Sequence, residues 1–274
     1  MKSIAVLLIA FATTAAAPAQ VQNDKVTVPL SEPSQPATVK AHVVSGSITV
    51  TVGTGSQVVV EAEPAANSGR EPISPTPPPP PGMHRIDGGR YGFNAEEDHN
   101  VVTIGGGLNR MNLMIQVPVN SSLELRTVNG GQINVTGVNG NLDVENVNGS
   151  IELKDVSGTV LAHTVNGSVT VGLTRVTPDK PMSFSSLNGK VDVTLPADTK
   201  AQLHLKTTRG EIFSDFDVKT EPDTSKPVIE DSRGNGGRYR IRMNRGANIY
   251  GTINGGGPEY SFQTMNGTIL IHRK

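Results

Sequence analysis

At 274 residues the chain is long enough for one large or two small domains, and its formal charge of −1 at pH 7 gives no global basis for binding nucleic acid or an anionic membrane. It contains no cysteine, which excludes disulfides, a lipobox and thiolate metal sites. Its 30 glycines, 4% aromatic residues and recurrent Val, Ile and Thr between turn residues point to an all-β protein with many tight turns.

Residues 1–19 have the pattern of a signal peptide. Lys2 supplies the positive n-region, Ile4 to Phe11 the apolar h-region, and Ala17-Pro18-Ala19 a small-x-small site, so that cleavage leaves Gln20 as the mature N-terminus. The apolar run is short for a membrane span, and no other stretch approaches that length. The expectation is export to the periplasm or cell surface with no transmembrane segment after signal removal.

Residues 20–63 are expected to form the first strands, Val26 to Leu30, Val39 to Val50 and Gln57 to Glu61. Composition then changes. Residues 64–100 carry five consecutive prolines, Pro77 to Pro81, the pair Gly88-Gly89 and the acidic Glu96-Glu97-Asp98, which marks an insertion outside the core pattern. Such an insertion is a recognition tail or, more simply, a tolerated loop. The main body is assigned to residues 101–274.

One phrase occurs three times: Val26-Thr27-Val28-Pro29, Ile115-Gln116-Val117-Pro118 and Val193-Thr194-Leu195-Pro196, each followed by a second strand. Proline lacks the amide a strand interior needs, so each copy predicts strand, corner, strand. Between Leu123 and Leu173 a nine- or ten-residue unit recurs, with apolar trios Ile133, Val135, Val138; Leu142, Val144, Val147; Ile151, Leu153, Val156; and Val160, Ala162, Val165. The first two of each trio are two apart, as one strand face requires, and the third is three further on, which signals a bend within each unit. Two units make a coil of 18 to 22 residues that sets Ile133 over Ile151 over Val169, and Leu142 over Val160. A single unit buries too little to fold alone, so stacking is obligatory.

Asn-Gly pairs punctuate the pattern at Asn129-Gly130, Asn139-Gly140, Asn148-Gly149, Asn166-Gly167, Asn188-Gly189 and Asn266-Gly267. Both residues tolerate positive φ, so tight corners are expected there. Asn129, Asn148, Asn166 and Asn188 recur one coil apart and are expected to stack as an amide ladder. The Asn-x-Ser/Thr triplets at Asn120, Asn134, Asn148, Asn166 and Asn266 are better explained by turn chemistry than by glycosylation. The fold expected is all-β, a single-stack, β-helix-like solenoid with short strands, Asn-Gly corners and no substantial helix.

The Val-Asn-Gly-x-[Ile/Val/Leu]-x-[Val/Leu] repeats, the Val-Pro strand endings and the signal peptide together resemble the exported, adhesin-like β-solenoid proteins of the toast-rack family, over most of residues 26–274. The resemblance implies binding at a surface or in the envelope and supplies no catalytic residues.

The six histidines, at 42, 84, 99, 163, 204 and 272, show no metal-ligand spacing, and no nucleophile elbow or phosphate loop is present. No cofactor or metal is expected. His163 and His204 alternate with apolar residues and are expected on solvated strand faces. Asp143, Glu145, Glu152 and Asp155 project from neighbouring units and are the candidates for acid/base chemistry, although nothing in their spacing selects a pair. Arg238, Arg240 and Arg242 alternate with Tyr239, Ile241 and Met243, placing three guanidinium groups on one strand face as a candidate anion-binding site or a solvated face balanced by Glu221, Asp223, Glu230 and Asp231. The function expected is a non-enzymatic envelope or surface protein that binds an envelope protein or glycan; the alternatives are a carbohydrate-active solenoid enzyme and an envelope-stress sensor.

Overall fold

The computed structural model describes residues 24–65, 93–105, 110–220, 228–231, 239–242 and 247–274. In chain order the strands are β1 (Asp24–Pro29), β2 (Ala37–Ser45), β3 (Ile48–Val52), β4 (Gln57–Pro64), β5 (Asn94–Asp98), β6 (Val101–Gly105), β7 (Met111–Val117) and β8 (Ser121–Asn129). Next come β9 (Ile133–Thr136), β10 (Asn139–Asn148), β11 (Ile151–Asn166), β12 (Val169–Val176), β13 (Met182–Asn188), β14 (Val191–Leu195) and β15 (Ala201–Arg209). The last are β16 (Ile212–Ser214), β17 (Lys219–Thr220), β18 (Val228–Asp231), β19 (Tyr239–Arg242), β20 (Ala247–Ile253), β21 (Glu259–Asn266) and β22 (Ile269–Arg273). No helix occurs among the described residues. The all-β solenoid expected from the repeats is the fold observed.

The chain alternates between two sheets that share one core. The front sheet runs β5, β6, β2, β8, β10, the second half of β11, β13, β21, β15, β20, β17. The back sheet runs β1, β4, β7, β3, β9, the first half of β11, β12, β14, β22, β16. β11 belongs to both, bending near Asp155, whose φ is 50°. The interior pairs of both sheets are parallel and bury the alternate residue of each strand, as with Ser121, Leu123, Leu125 and Thr127 of β8. Ile133 pairs with Ile151 and Ile151 with Val169, while Leu142 pairs with Val160, the register the sequence predicts. β1, β7 and β14 all end at or just before the proline of the thrice-used phrase.

The stacking order departs from chain order at both ends. β2 lies between β6 and β8, and the β21–β22 pair is wedged between β13–β14 and β15–β16. Antiparallel strands then close most of the edges: β5 on β6, β4 and β1 on β7, and β20 and β17 beyond β15. Such caps remove the open parallel edge that would otherwise recruit another chain. Within the stretch assigned to the insertion, Asn94–Asp98 is the capping strand β5, joined to β6 by His99 and Asn100 at φ 50° and 62°, the two positive values of a type I′ hairpin turn.

Two sequence expectations need correction. Val138 and Val156 are fully buried, whereas Val147 is 37% exposed and Val165 half-buried, so the third residue of the trio enters the core only at every second corner. The glycines also serve a purpose other than positive φ: Gly140, Gly149, Gly167, Gly189 and Gly267 all lie outside that region. They are required because a Cβ on Gly149, Gly167, Gly189, Gly267 or Gly210 would fall 1.9 to 2.2 Å from the carbonyl oxygen of the corner stacked against it. The column continues through Gly131 onto Gly46. Gly140 belongs to a second column on the opposite edge, where its Cβ would strike Ser121 O and that of Gly158 would strike Gly140 O.

Candidate binding cleft

The corners carry a polar column that the apolar periodicity hides. Two residues before each corner Asn or Arg stands a small buried polar side chain, which donates to the corner carbonyl of the adjacent coil: Thr127 Oγ1 to Gly46 O (3.0 Å), Asn146 Nδ2 to Gly131 O (2.8 Å), Thr164 Oγ1 to Gly149 O (2.8 Å), Ser186 Oγ to Gly167 O (2.7 Å), Thr264 Oγ1 to Gly189 O (2.9 Å) and Thr207 Oγ1 to Gly267 O (3.1 Å). The signal available in the sequence was the phrase [Thr/Ser/Asn]-x-Asn-Gly, in which a polar residue occupies a core-facing parity.

Outside this column runs the amide ladder. Asn166 Nδ2 donates to Asn148 Oδ1 (2.8 Å), Asn188 Nδ2 to Asn166 Oδ1 (2.9 Å) and Asn266 Nδ2 to Asn188 Oδ1 (2.7 Å). Asn266 thus joins the predicted series. Asn129 is in register with Asn148, but there the link is backbone, Gly130 N to Asn148 O at 3.1 Å. Asn139 forms a separate step on the second edge, donating to Asn120 Oδ1 at 2.9 Å.

Where the ladder stops, a cavity of about 780 Å³ opens, lined by Ser45, Gly46, Ser47, Ala65, Arg110, Asn112, Asn129, Gly130, Gly131, Gln132 and Asn134. The β2–β3 corner, the entry to β7 and the β8–β9 corner meet there. Its floor is fixed by backbone: Leu113 N donates to Ser47 O (2.8 Å), Ile48 N to Gln132 O (3.0 Å) and Gly46 N to Asn129 O (3.3 Å). Asn112 Oδ1 accepts from both Ser47 N (3.0 Å) and Ser47 Oγ (2.8 Å). Among the described residues the lining is amide, hydroxyl and one guanidinium, with Ala65 the single apolar side chain, so the cleft suits a ligand rich in hydrogen-bonding groups.

Other predicted residues lie elsewhere. Arg238 falls outside the described residues; Arg240 and Arg242 are in β19, whose backbone pairs them opposite Glu230 and Val228 of β18 in a separate two-stranded ribbon. The four candidate carboxylates are not brought together, because successive strands of one unit alternate between sheets. Asp143 and Glu145 lie on the front sheet, where Arg126 contacts Asp143 (3.5 Å), Glu145 and Glu124 (3.3 Å), and Lys40 reaches Glu124 (3.3 Å). Glu152 is on the back sheet beside Lys154 (2.9 Å), and Asp155 is held at the bend by Lys274 (3.2 Å). Burial, reinforced by Glu145 and Glu124 against the opposing pull of Arg126, raises the Asp143 carboxyl above the usual range. Hydrogen bonding from Lys40 lowers that of Glu124.

His163 is exposed and bonds Ser185 Oγ (2.7 Å). His204 does more than face solvent: its ring stacks on Tyr250 with centroids 4.6 Å apart. His272 bridges Asp215 (3.0 Å) and Asp192 (3.6 Å), a link between strands that no local spacing announces.

Known proteins share this architecture. Among solved structures, the chain is similar to a "putative cell adhesion protein" from Clostridium sporogenes ATCC 15579, at 10% identity over 92% of this chain and 100% of that one, with a TM-score of 0.51. It is also similar to a "putative adhesin" from Bacteroides fragilis NCTC 9343, at 8% identity over 93% and 98% of the two chains, with a TM-score of 0.36. No curated protein matches. The family model described as Toastrack DUF4097 matches residues 116–247, from the end of β7 to the start of β20. The resemblance carried by the Val-Asn-Gly repeats is therefore borne out, and residues 116–247 are the part of the chain that matches the Toastrack model.

Proposed function

We propose that the protein is exported through its first 19 residues and acts in the envelope or at the cell surface as a non-enzymatic, adhesin-like binding module for a glycan. The observation that carries this reading is the amide-lined cleft where the ladder ends. Its floor is rigid backbone and its walls are exposed donors and acceptors, an arrangement that recognises hydroxyl-bearing ligands without chemistry on them. The adhesion-related name of the Clostridium sporogenes structure agrees with it. No helix among the described residues is long and apolar enough to cross a membrane.

The test is retention on immobilised envelope glycans, comparing wild type with the double variant Gln132→Ala/Asn134→Ala, two cleft side chains on which no corner bond depends. Wild type should be retained and the variant bind about tenfold more weakly, the equivalent of about 1.4 kcal/mol. Equal retention of the two, or no retention of wild type on any glycan that crosslinks to the protein in intact cells, would refute the cleft as the site.

A further inference from the structure

Seven Asn-Gly pairs lie among the described residues, and the fold treats one of them differently. The side chains of Asn148, Asn166, Asn188 and Asn266 are bonded within the ladder, Asn139 donates to Asn120 Oδ1, and Asn254 Nδ2 donates to Ala197 O (3.0 Å) and Thr199 O (2.7 Å). Asn129 is exposed and its amide makes no such bond among the described residues. The following glycines divide similarly. Gly140, Gly149, Gly167, Gly189 and Gly267 are wedged against the next coil, whereas Gly130 stands outside the column with φ +70° and nothing within 4 Å of a Cβ position. Gly131 takes the wedged place at that corner, so Gly130 is an extra residue looped into the cleft. Gly255 is similarly open, but there Asn254 is the residue held, by two carbonyls.

An Asn-Gly pair rearranges when the glycine nitrogen reaches the preceding side-chain carbonyl carbon, so both partners must be free to meet. We propose that Asn129 is a site of spontaneous deamidation, set by the fold to react ahead of the other described Asn-Gly pairs. The Gly130 nitrogen, after loss of its proton to solvent, attacks Asn129 Cγ. The new N–Cγ bond closes a succinimide ring, and the bond to the side-chain nitrogen breaks to release ammonia. Water then opens the ring at either carbonyl, giving aspartate or isoaspartate; one water is consumed and one ammonia released, with no change in oxidation state. Among the described residues, the hydrogen bond from Gly130 N to Asn148 O (3.1 Å) is what holds the nucleophile back. The product places a carboxylate in the wall of the cleft, whatever ligand the cleft binds.

The experiment ages the intact protein in mildly alkaline buffer and follows each Asn-Gly pair by tandem mass spectrometry of its peptides, alongside an unfolded sample in urea. In the folded protein conversion at Asn129 should exceed that at Asn148, Asn166, Asn188 and Asn266 by about tenfold, the ratio given by about 1.4 kcal/mol of barrier, and in urea the rates should converge. Equal rates in the folded protein, or earlier conversion in the ladder, would overturn the proposal. Gly130→Ala, which meets no neighbour, should suppress conversion at Asn129 and spare the other positions. Unchanged conversion at Asn129 in that variant would show that the freedom of Gly130 does not set the rate and would equally overturn it.

Discussion

Replacing Gly167 by alanine isolates the physical reason for the corner glycines. The added Cβ would lie 2.2 Å from Gly149 O, 2.5 Å from Gly149 C and 2.8 Å from Ser150 N, all backbone atoms that cannot rotate away. Restoring van der Waals distance requires the two coils to part by about 1 Å on a rung spacing of about 4.8 Å. Three hydrogen bonds cross that gap or flank it: Thr164 Oγ1 to Gly149 O (2.8 Å), Asn166 Nδ2 to Asn148 Oδ1 (2.8 Å) and Gly167 N to Asn188 O (3.2 Å). Weakening two of them at about 1 kcal/mol each, with about 1–3 kcal/mol for overpacking, gives a loss of about 3–5 kcal/mol. Gly130→Ala is the matched control, since it meets no atoms and carries only the cost of a left-handed residue, about 1–2 kcal/mol. Urea unfolding followed by circular dichroism measures both. A Gly167→Ala protein within about 1 kcal/mol of wild type, or no less stable than Gly130→Ala, would refute close approach as the reason for glycine.

Further outcomes follow from the same corners and from the charged rows. Thr164→Val should cost about 1–3 kcal/mol in the same assay, because it leaves the Gly149 carbonyl without its donor in the core. Asn146→Thr should instead stabilise by about 1 kcal/mol, since Asn146 Oδ1 is buried without a partner while the equivalent Thr164 donates to its carbonyl and carries no surplus oxygen. Glu97 is held below the usual carboxylate range, first by the Ser31 amide and then by the Ser31 hydroxyl and the Asn100 amide. A depressed folded value means stability that is present above the unfolded pKa and lost as pH falls through the folded one. Protection from hydrogen exchange in β5 and β6, taken relative to the intrinsic rate at each pH, should therefore fall in acid, and Glu97→Gln should remove that dependence. Asp143 has the opposite sign, its raised value favouring the protonated form, so stability falls as pH rises through it. Its side chain is 43% exposed and solvent screens the effect, so Asp143→Asn at neutral pH should be neutral to slightly stabilising, within about 0.5 kcal/mol.

The periodicity of Ile133, Val135, Leu142 and Val144 was enough to predict the coil length and the stacking register, because burial of alternate residues is a local property of each strand. The amide ladder was legible for a related reason: asparagines one coil apart stack once the coil length is known. The role of the corner glycines was not, since an Asn-Gly pair has the same appearance whether glycine supplies positive φ or merely lacks a Cβ, and only the neighbouring carbonyl distinguishes the two. The buried row containing Thr127, Thr164 and Thr207 was passed over because polarity at a core parity looks like an interruption until its acceptor is seen. The cleft was least legible. It arises where Met111, Gly46 and Gly131 meet, residues drawn from three separate passes of the chain.

Rung order shows most clearly what a local pattern leaves open. Tyr260, Phe262, Ile269 and Ile271 carry the same alternation as every other coil, yet they do not extend the stack in sequence; they enter it between Met182, Phe184, Val191 and Val193 on one side and Leu203, Leu205 and Ile212 on the other. Phe184 and Phe262 mark the insertion in the core, with ring centroids 5.1 Å apart across adjacent rungs. The glycine column runs through it without a break, Gly189 to Gly267 to Gly210, so the wedge satisfies the same close-approach rule as its neighbours. Each parallel rung is equivalent at its two edges, and the repeat phrase therefore specifies how a coil is built but not which coil it joins. The closure of a long loop costs only logarithmically more than that of a short one, so a rung that lies far along the chain can compete for an interior place when its side chains fit better there. In this protein the fit is aromatic: Phe262 packs on Phe184, and Tyr260, also deeply buried, pairs in register with Met182 and Leu203, joining strands distant in the chain into one continuous core.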